Sequence, residues 1–345
     1  MKKLIALLLI IPLLASTFIF PVTTDASEMN FSVSANLPEN QMDKTKTYFD
    51  LKMSPGMEQT ITVTMTNQTD DEITVLASVN TAVTNDNGII DYSQTDPKLD
   101  ETLIHPISNL TDSASEVVLA PNSSKEYPIT IKMPNETFDD TILGGIHFQE
   151  KNEKTNTDDA KTIQIENKYA YIIGLMLRQN DTGVKADLQL NDITPTQINY
   201  RNVVTANIQN TEATILKDLE VDAKVFKKDG TSVLHENFED NLRMAPNSNF
   251  NFPVSWNNQA FKAGTYRMEM VARSGEQVWR WTEYFTISGK DADSFNDKAV
   301  EIEKDYTWLY ILLGSLLALL ILLFVFLLGR KSKKDEEYSR DKRLR

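Results

Sequence analysis

Thr60-Ile61-Thr62-Val63-Thr64-Met65-Thr66 alternates threonine with an apolar residue at every step. That period of two fits a strand that is half buried, with Ile61, Val63 and Met65 on the inward side. Ile73, Val75, Ala77 and Val79 repeat the alternation, as do Tyr127, Ile129, Ile131 and Met133. The polar run Asn67 to Glu72 (NQTDDE) joins the first two stretches as a turn, and Asn87-Gly88 is a second turn signal. Further along, Leu219, Val221, Ala223 and Val225 alternate and lead into Lys227-Lys228-Asp229-Gly230, a hairpin signal. Phe250, Phe252, Val254 and Trp256 alternate, then Tyr266, Met268, Met270 and Ala272, and Trp279, Trp281, Phe285 and Ile287 share one strand face. The exported part of the chain therefore reads as all-β.

The two halves echo each other. Leu119-Ala120-Pro121-Asn122-Ser123 precedes Tyr127-Pro128-Ile129-Thr130, and Met244-Ala245-Pro246-Asn247-Ser248 precedes Phe252-Pro253-Val254-Ser255. Before each copy a strand ends in asparagine, at Asn67 and at Asn210, and after each a glycine opens a strand, at Gly144-Gly145 and at Gly264. The echo predicts two related β-sandwich domains in tandem, with chance similarity of turns as the alternative. The boundary is expected in the polar stretch Gln179 to Gly183, after the apolar strand Tyr169 to Leu177. Asn152 to Lys161 reads as an exposed loop within the first domain.

Two apolar segments flank this β region. Met1-Lys2-Lys3, the run from Leu4 to about Phe20 and the small residues around Ala26 read as a secretory signal peptide, with an uncleaved anchor as the alternative. Trp308 to Leu328 carries no charge and, at about 1.5 Å per residue, is as long as a bilayer core is thick. Arg330, Lys331, Lys333 and Lys334 follow at once, which places the C-terminus inside and predicts a single-pass type I anchor. The tail after it is too short to fold alone. Of the 345 residues, the leader carries +1 and the tail +4 out of a net charge of −14, leaving −19 for residues 27–329. Such acidity argues against nucleic-acid binding. The chain has no cysteine, which excludes disulfides, thiolate chemistry and Cys-ligated metal. An exported chain without cysteine suits a bacterial surface that does not rely on disulfides, a Gram-positive one.

Candidate chemistry is sparse, and neither catalytic residues nor a cofactor or metal site is predicted. The acidic groups Asp70-Asp71-Glu72, Asp139-Asp140 and Asp158-Asp159 fall where Asp caps turns rather than as a glycosidase pair. Asn85-Asp86-Asn87-Gly88 with Asp91 partly resembles a calcium loop but lacks the spacing and the terminal glutamate. The three histidines, His105, His147 and His235, lie far apart. His105-Pro106 reads as a loop and His147 as a core or edge residue. Sugar binding needs aromatic platforms with polar rims, and Tyr48, Tyr92, Tyr127 and Phe138 are the first-domain candidates, each equally readable as core. The ligand-binding residues stay open.

These pieces together resemble the WxL-interacting proteins of Gram-positive bacteria. The resemblance rests on Phe31-Ser32-Val33-Ser34-Ala35-Asn36-Leu37-Pro38-Glu39-Asn40-Gln41, on Tyr48-Phe49-Asp50-Leu51 leading to Pro55-Gly56, and on Ile131-Lys132-Met133-Pro134 followed by Phe138-Asp139 and Gly144-Gly145-Ile146-His147-Phe148. Asp140 stands where glycine is expected. Trp279-Arg280-Trp281 lacks the paired context of a WxL domain and reads as core, with a partner-binding strip as the alternative.

The resemblance implies two immunoglobulin-like sandwiches, a peptidoglycan-binding one over 27–180 and a host- or partner-binding one over 181–288. A leader (1–26), an acidic stalk (289–307), a transmembrane helix (308–328) and a basic cytoplasmic tail (329–345) complete the expected layout. It further implies a non-enzymatic surface scaffold whose partners are peptidoglycan, WxL-domain surface proteins and host extracellular-matrix protein. An assembly helper for secreted surface complexes is the alternative, and a cell-wall hydrolase a remote one.

Overall fold

A computed structural model describes residues 30–151, 169–302 and 306–341. The expected signal peptide (1–26) and the loop Asn152 to Lys161, with Asp158-Asp159, lie outside the described residues. The chain divides into two compact units. One comprises residues up to Val83, Asp91–Lys185 and Glu212–Thr214; the other comprises Thr84–Ile90, Ala186–Thr211 and residues from Ile215 onward.

The first unit is a sandwich of two sheets. Its strands are β1 (Phe31–Asn36), β2 (Phe49–Lys52), β3 (Glu58–Asn67), β4 (Ile73–Thr81), β7 (Thr111–Ser113), β8 (Glu116–Leu119), β9 (Ser124–Lys132), β10 (Ile142–Glu150) and β11 (Ala170–Arg178); the short separate pair β5 (Val83–Thr84) and β6 (Ile90–Asp91) falls where the chain leaves and re-enters this unit. One sheet has the order β1-β3-β9-β7, the other β2-β11-β10-β4-β8. Strand β3 contains the opening threonine run, and its Ile61, Val63 and Met65 are buried as the alternation requires. They join Ile129 and Ile131 of β9, Val75 of β4, Phe148 of β10 and Leu175 of β11 in one core cluster that spans both sheets. Tyr127 of one sheet meets Phe148 of the other edge-on at 5.5 Å. Burying each such side chain contributes about 2 kcal/mol. All pairings within the two sheets are antiparallel except β2 with β11, which is parallel.

The second unit repeats the plan with β12 (Leu188–Ile198), β13 (Arg201–Asn210), β14 (Leu216–Lys227), β15 (Val233–Met244), β16 (Ser248–Ser255), β17 (Gly264–Ser274) and β18 (Gln277–Ile287). Its sheets are β12-β13-β16 and β15-β14-β17-β18. Phe250, Phe252 and Val254 of β16 face Val221, Ala223 and Val225 of β14 in a single core. Trp279 and Trp281 pack against that core, partly buried, on the predicted face of β18.

The sequence echo has a physical cause. In each sandwich a strand ends in a buried asparagine whose amide ties down the turn before a later strand. Asn67 donates to the carbonyls of Leu119 and Ala120, and Asn210 to that of Ala245. Asn122 and Asn247 take the left-handed conformation, at φ 46° and 45°, which asparagine tolerates better than most residues. Ser123 and Ser248 each donate a hydroxyl hydrogen bond to the alanine carbonyl three residues back.

The stretch expected as an acidic stalk begins differently. Helix α1 (Gly289–Lys298) is capped by Ser288, whose hydroxyl accepts from the Asp291 amide. Ala292 is buried in the second core, Phe295 packs beside it, and the Asn296 amide accepts from the backbone of Phe261 and donates back to it. Composition showed only the polar face of this helix; its two apolar contacts three residues apart fix the other. Helix α2 (Thr307–Asp341) contains the apolar window Leu309–Phe326, of mean hydropathy 2.9, with none of it buried within the protein. It is the one helix among the described residues long and apolar enough to cross a membrane. Its backbone stays helical through residues 329–341, where the sequence suggested a tail without a fold of its own; extending an existing helix needs no new nucleus.

Candidate functional site

The four aromatic candidates of the first unit separate once the strands are placed. Tyr127 turns inward, is 1% exposed, and donates its hydroxyl to the Ala114 carbonyl at 2.5 Å. Its alternation with Ile129 and Ile131 was the signal that it belongs to the core. Phe138 packs half-buried against His105, with ring centroids 5.3 Å apart, in the connection between β9 and β10. Tyr48 and Tyr92 remain; Tyr48 packs partly buried against the edge of the first core, and both lie over glycines of the outward face of the five-stranded sheet.

That face is shaped by a pair of glycines. Gly145 of β10 lies directly opposite Gly174 of β11 in the ladder. A Cβ added to Gly145 would meet the Cβ of Tyr92 at 2.8 Å and Ile172 at 3.0 Å, so only glycine lets Tyr92 sit there. A Cβ on Gly174 would touch Tyr48 at 3.6 Å, an ordinary contact. Two tyrosines from segments 44 residues apart are thus seated on neighbouring glycines, and both are half-buried.

Polar groups hold both in place. Buried Gln41 donates to the Tyr48 carbonyl at 2.9 Å and accepts from the Asp50 amide at 3.0 Å. Asp50 in turn makes a bidentate ion pair with Arg178, with contacts of 2.6 and 2.7 Å from one guanidinium nitrogen, which clamps the parallel strand β2 to β11. Asn80, 1% exposed, donates to the Tyr92 carbonyl at 2.8 Å. The next outward row pairs Ser78 of β4, His147 of β10 and Ile172 of β11. Ile172 is 43% exposed.

His147 and Asp91 interact on this face. Burial pushes the His147 imidazole below its usual range, and the Asp91 charge opposes that only in part, so the ring is neutral at neutral pH. Burial alone would raise the Asp91 carboxyl; hydrogen bonds from Gln94 and Ser93, with a contribution from His147, leave it below its ordinary value. His147 is therefore a half-buried group of the outward face rather than a core residue.

The remaining sequence candidates serve as turn caps. The Asn85 side chain accepts from the amides of Asn87 and Ile89, Asp86 accepts from Asn251, and Asp91 is taken up by Ser93 and Gln94. Asp70 accepts from Asn122 and Asp139 from Asn180. Burial holds the Asp140 carboxyl above its usual range, with His105 opposing and Asp139 adding to the rise. Among the described residues no three His, Asp or Glu side chains gather where a metal ion could sit. Gly174, Ser78, Asn80 and Ile172 escaped the sequence reading. A glycine inside the apolar strand Tyr169 to Leu177 was the available signal, because it marks close approach of another group.

A comparison with curated proteins gives no match. Solved structures that resemble the chain include a chaperone–tip adhesin complex of CFA/I fimbriae biogenesis, at TM-score 0.31 and 11% identity, covering 73% of this chain and 98% of that one. The class 5 fimbriae chaperone CfaA has TM-score 0.28 and 12% identity, covering 74% and 99% respectively. The E. coli chaperone DraB has TM-score 0.27 and 13% identity, covering 75% and 98%. Likeness this low carries no argument, and the fold rests on the sheets themselves. The family comparison is more specific. Residues 31–150 match the WxL Interacting Protein peptidoglycan binding domain, and residues 160–297 match the WxL Interacting Protein host binding domain. The second match starts upstream of β11, a strand that pairs within the first sandwich. Both families are binding domains and support a surface binding role. With both domains present in the family's order and covering most of its length, the chain belongs to the WxL Interacting Protein family.

Proposed function

We propose that this protein is a membrane-anchored scaffold on the surface of a Gram-positive cell. The first sandwich holds peptidoglycan, and the second holds WxL-domain surface proteins and host extracellular-matrix protein. The observation that carries this reading is the order along the chain: two binding-domain families followed by an apolar helix with none of its window buried. A stretch of 18 apolar residues spans about 27 Å, close to a bilayer core. On this reading the leader 1–26 is removed and the basic segment from Arg330 lies inside. With α1 packed into the second core, the spacer to the membrane is the short run 299–306. The wall-facing role needs no catalysis, and we read the protein as non-enzymatic.

The test is fractionation of cells making the full chain or a chain ending at residue 302, followed by pull-down of the full protein on purified sacculi. The full chain is expected in the membrane fraction and bound to sacculi, and the shortened chain in the medium. Equal membrane retention of both chains would overturn the anchor. Failure to bind sacculi would overturn the wall role.

A further inference from the structure

We propose that the first unit binds the glycan strand of peptidoglycan on the outward face of its five-stranded sheet, at the platform where Tyr48 and Tyr92 sit on Gly174 and Gly145. This rests on the peptidoglycan reading above and names the surface and the part of the polymer it takes.

Three observations point to the glycan. First, the platform is aromatic without being closed. Both tyrosines are half-buried, held from below by the glycine pair and from behind by Gln41 and Asn80. A pyranose ring presents a face of C–H groups, and it stacks on fixed aromatic side chains at small entropic cost. Second, the rim is polar and mostly uncharged: Ser78, Gln149 and the neutral imidazole of His147 lie on the same face. Such groups donate to and accept from hydroxyl and N-acetyl groups. Asp91 is the charged group beside His147, and its carboxylate is already engaged by Ser93 and Gln94. A rim built for the anionic stem peptide or a phosphate polymer would offer unpaired arginine or lysine, whereas Arg178 and Lys52, at the β2 end of this face, are paired with Asp50 and Asp181. Third, Ile172 stands exposed beside His147 in the same ladder row, which adds an apolar contact at the edge of the platform.

The two glycines differ in what they allow. Gly145 is sterically required by Tyr92, whereas Gly174 has room for a methyl group.

The experiment uses the full-length protein in detergent micelles, bound to purified sacculi. The variants are Y48A, Y92A and I172E, with T130E on the other sheet as a control whose side chain is outside the platform. I172E changes an exposed position and keeps the fold even if the tyrosine variants lose it; circular dichroism reports which have folded. The proposal expects folded platform variants to bind at least tenfold more weakly, T130E to bind within twofold of wild type, and soluble N-acetylglucosamine oligomers to displace the protein. Wild-type binding that I172E and any folded tyrosine variant leave unchanged overturns the site while the wall reading stands. Displacement by stem peptide and not by glycan oligomers overturns the ligand class. Absence of wild-type binding to sacculi removes the wall reading, and the site with it.

Discussion

His235 makes the second sandwich sensitive to acid. Its ring lies in β15, 5% exposed, stacked on Trp256 at 4.0 Å with an interplanar angle of 28°, and its Nδ1 has no hydrogen-bond partner. Burial pushes its pKa down to about 4, against 6.5 for a free imidazole. The folded state therefore prefers the neutral ring. Above pH 6.5 both states are neutral and stability is complete. As the pH falls from 6.5 toward 4 the unfolded chain takes up a proton that the folded chain refuses, and stability falls. Each tenfold difference in proton affinity is worth about 1.4 kcal/mol, so the loss reaches about 3 kcal/mol at pH 4 and changes little below it. The variant H235F keeps an aromatic ring against Trp256 and removes the titration. Tryptophan fluorescence suits the measurement, because the first sandwich contains no tryptophan whereas Trp256, Trp279 and Trp281 lie in the second. Denaturant unfolding of the full protein followed by that signal should show wild type losing about 3 kcal/mol more than H235F between pH 7 and pH 4. Equal losses in the two proteins would refute the assignment.

Three further outcomes are expected. G144A should destabilise the first sandwich by about 3 kcal/mol in denaturant melts followed by circular dichroism, since the new methyl would run into Ile107 and the Asn80 carbonyl, whereas G183A, with open space around it, should stay within about 0.5 kcal/mol. N67A leaves the carbonyls of Leu119 and Ala120 without their donor in a buried corner and should cost about 2 kcal/mol by the same assay. D50A leaves the Arg178 guanidinium without its bidentate partner; it should cost about 2 kcal/mol and speed hydrogen exchange in β2, which would otherwise exchange as slowly as in wild type.

The strands were legible because an alternating pattern encodes its own answer: Ile61, Val63 and Met65 can reach the core only together. The repeated Ala-Pro-Asn-Ser turn was legible for a similar reason. The asparagine before a serine that bonds back to the alanine carbonyl is a local device, and it appears twice. The helix α1 was missed because Ala292 and Phe295 are only two apolar residues in a polar stretch, too few to show a period. The platform was half legible. The alternation of Tyr127 with Ile129 and Ile131 marks it as core, but nothing in the sequence showed which way Tyr48 and Tyr92 would face or that Gly145 would lie beneath one of them.

By itself the sequence determined the fold class, the tandem repeat of sandwiches, the apolar C-terminal helix and the family. Each is written in local order: a period of two, a recurring turn, an uninterrupted apolar run, or motifs in series. Only the tertiary structure decided which tyrosines face out. Orientation depends on which strands become neighbours, and β10 brings Gly145 beside Gly174 and beneath a residue from the β6 end of the chain. It likewise decided that β2 pairs in parallel with β11 and that α1 docks into the second core. Contacts between residues far apart in the chain are chosen by packing and by the satisfaction of buried polar groups, and neither leaves a periodic mark along the chain.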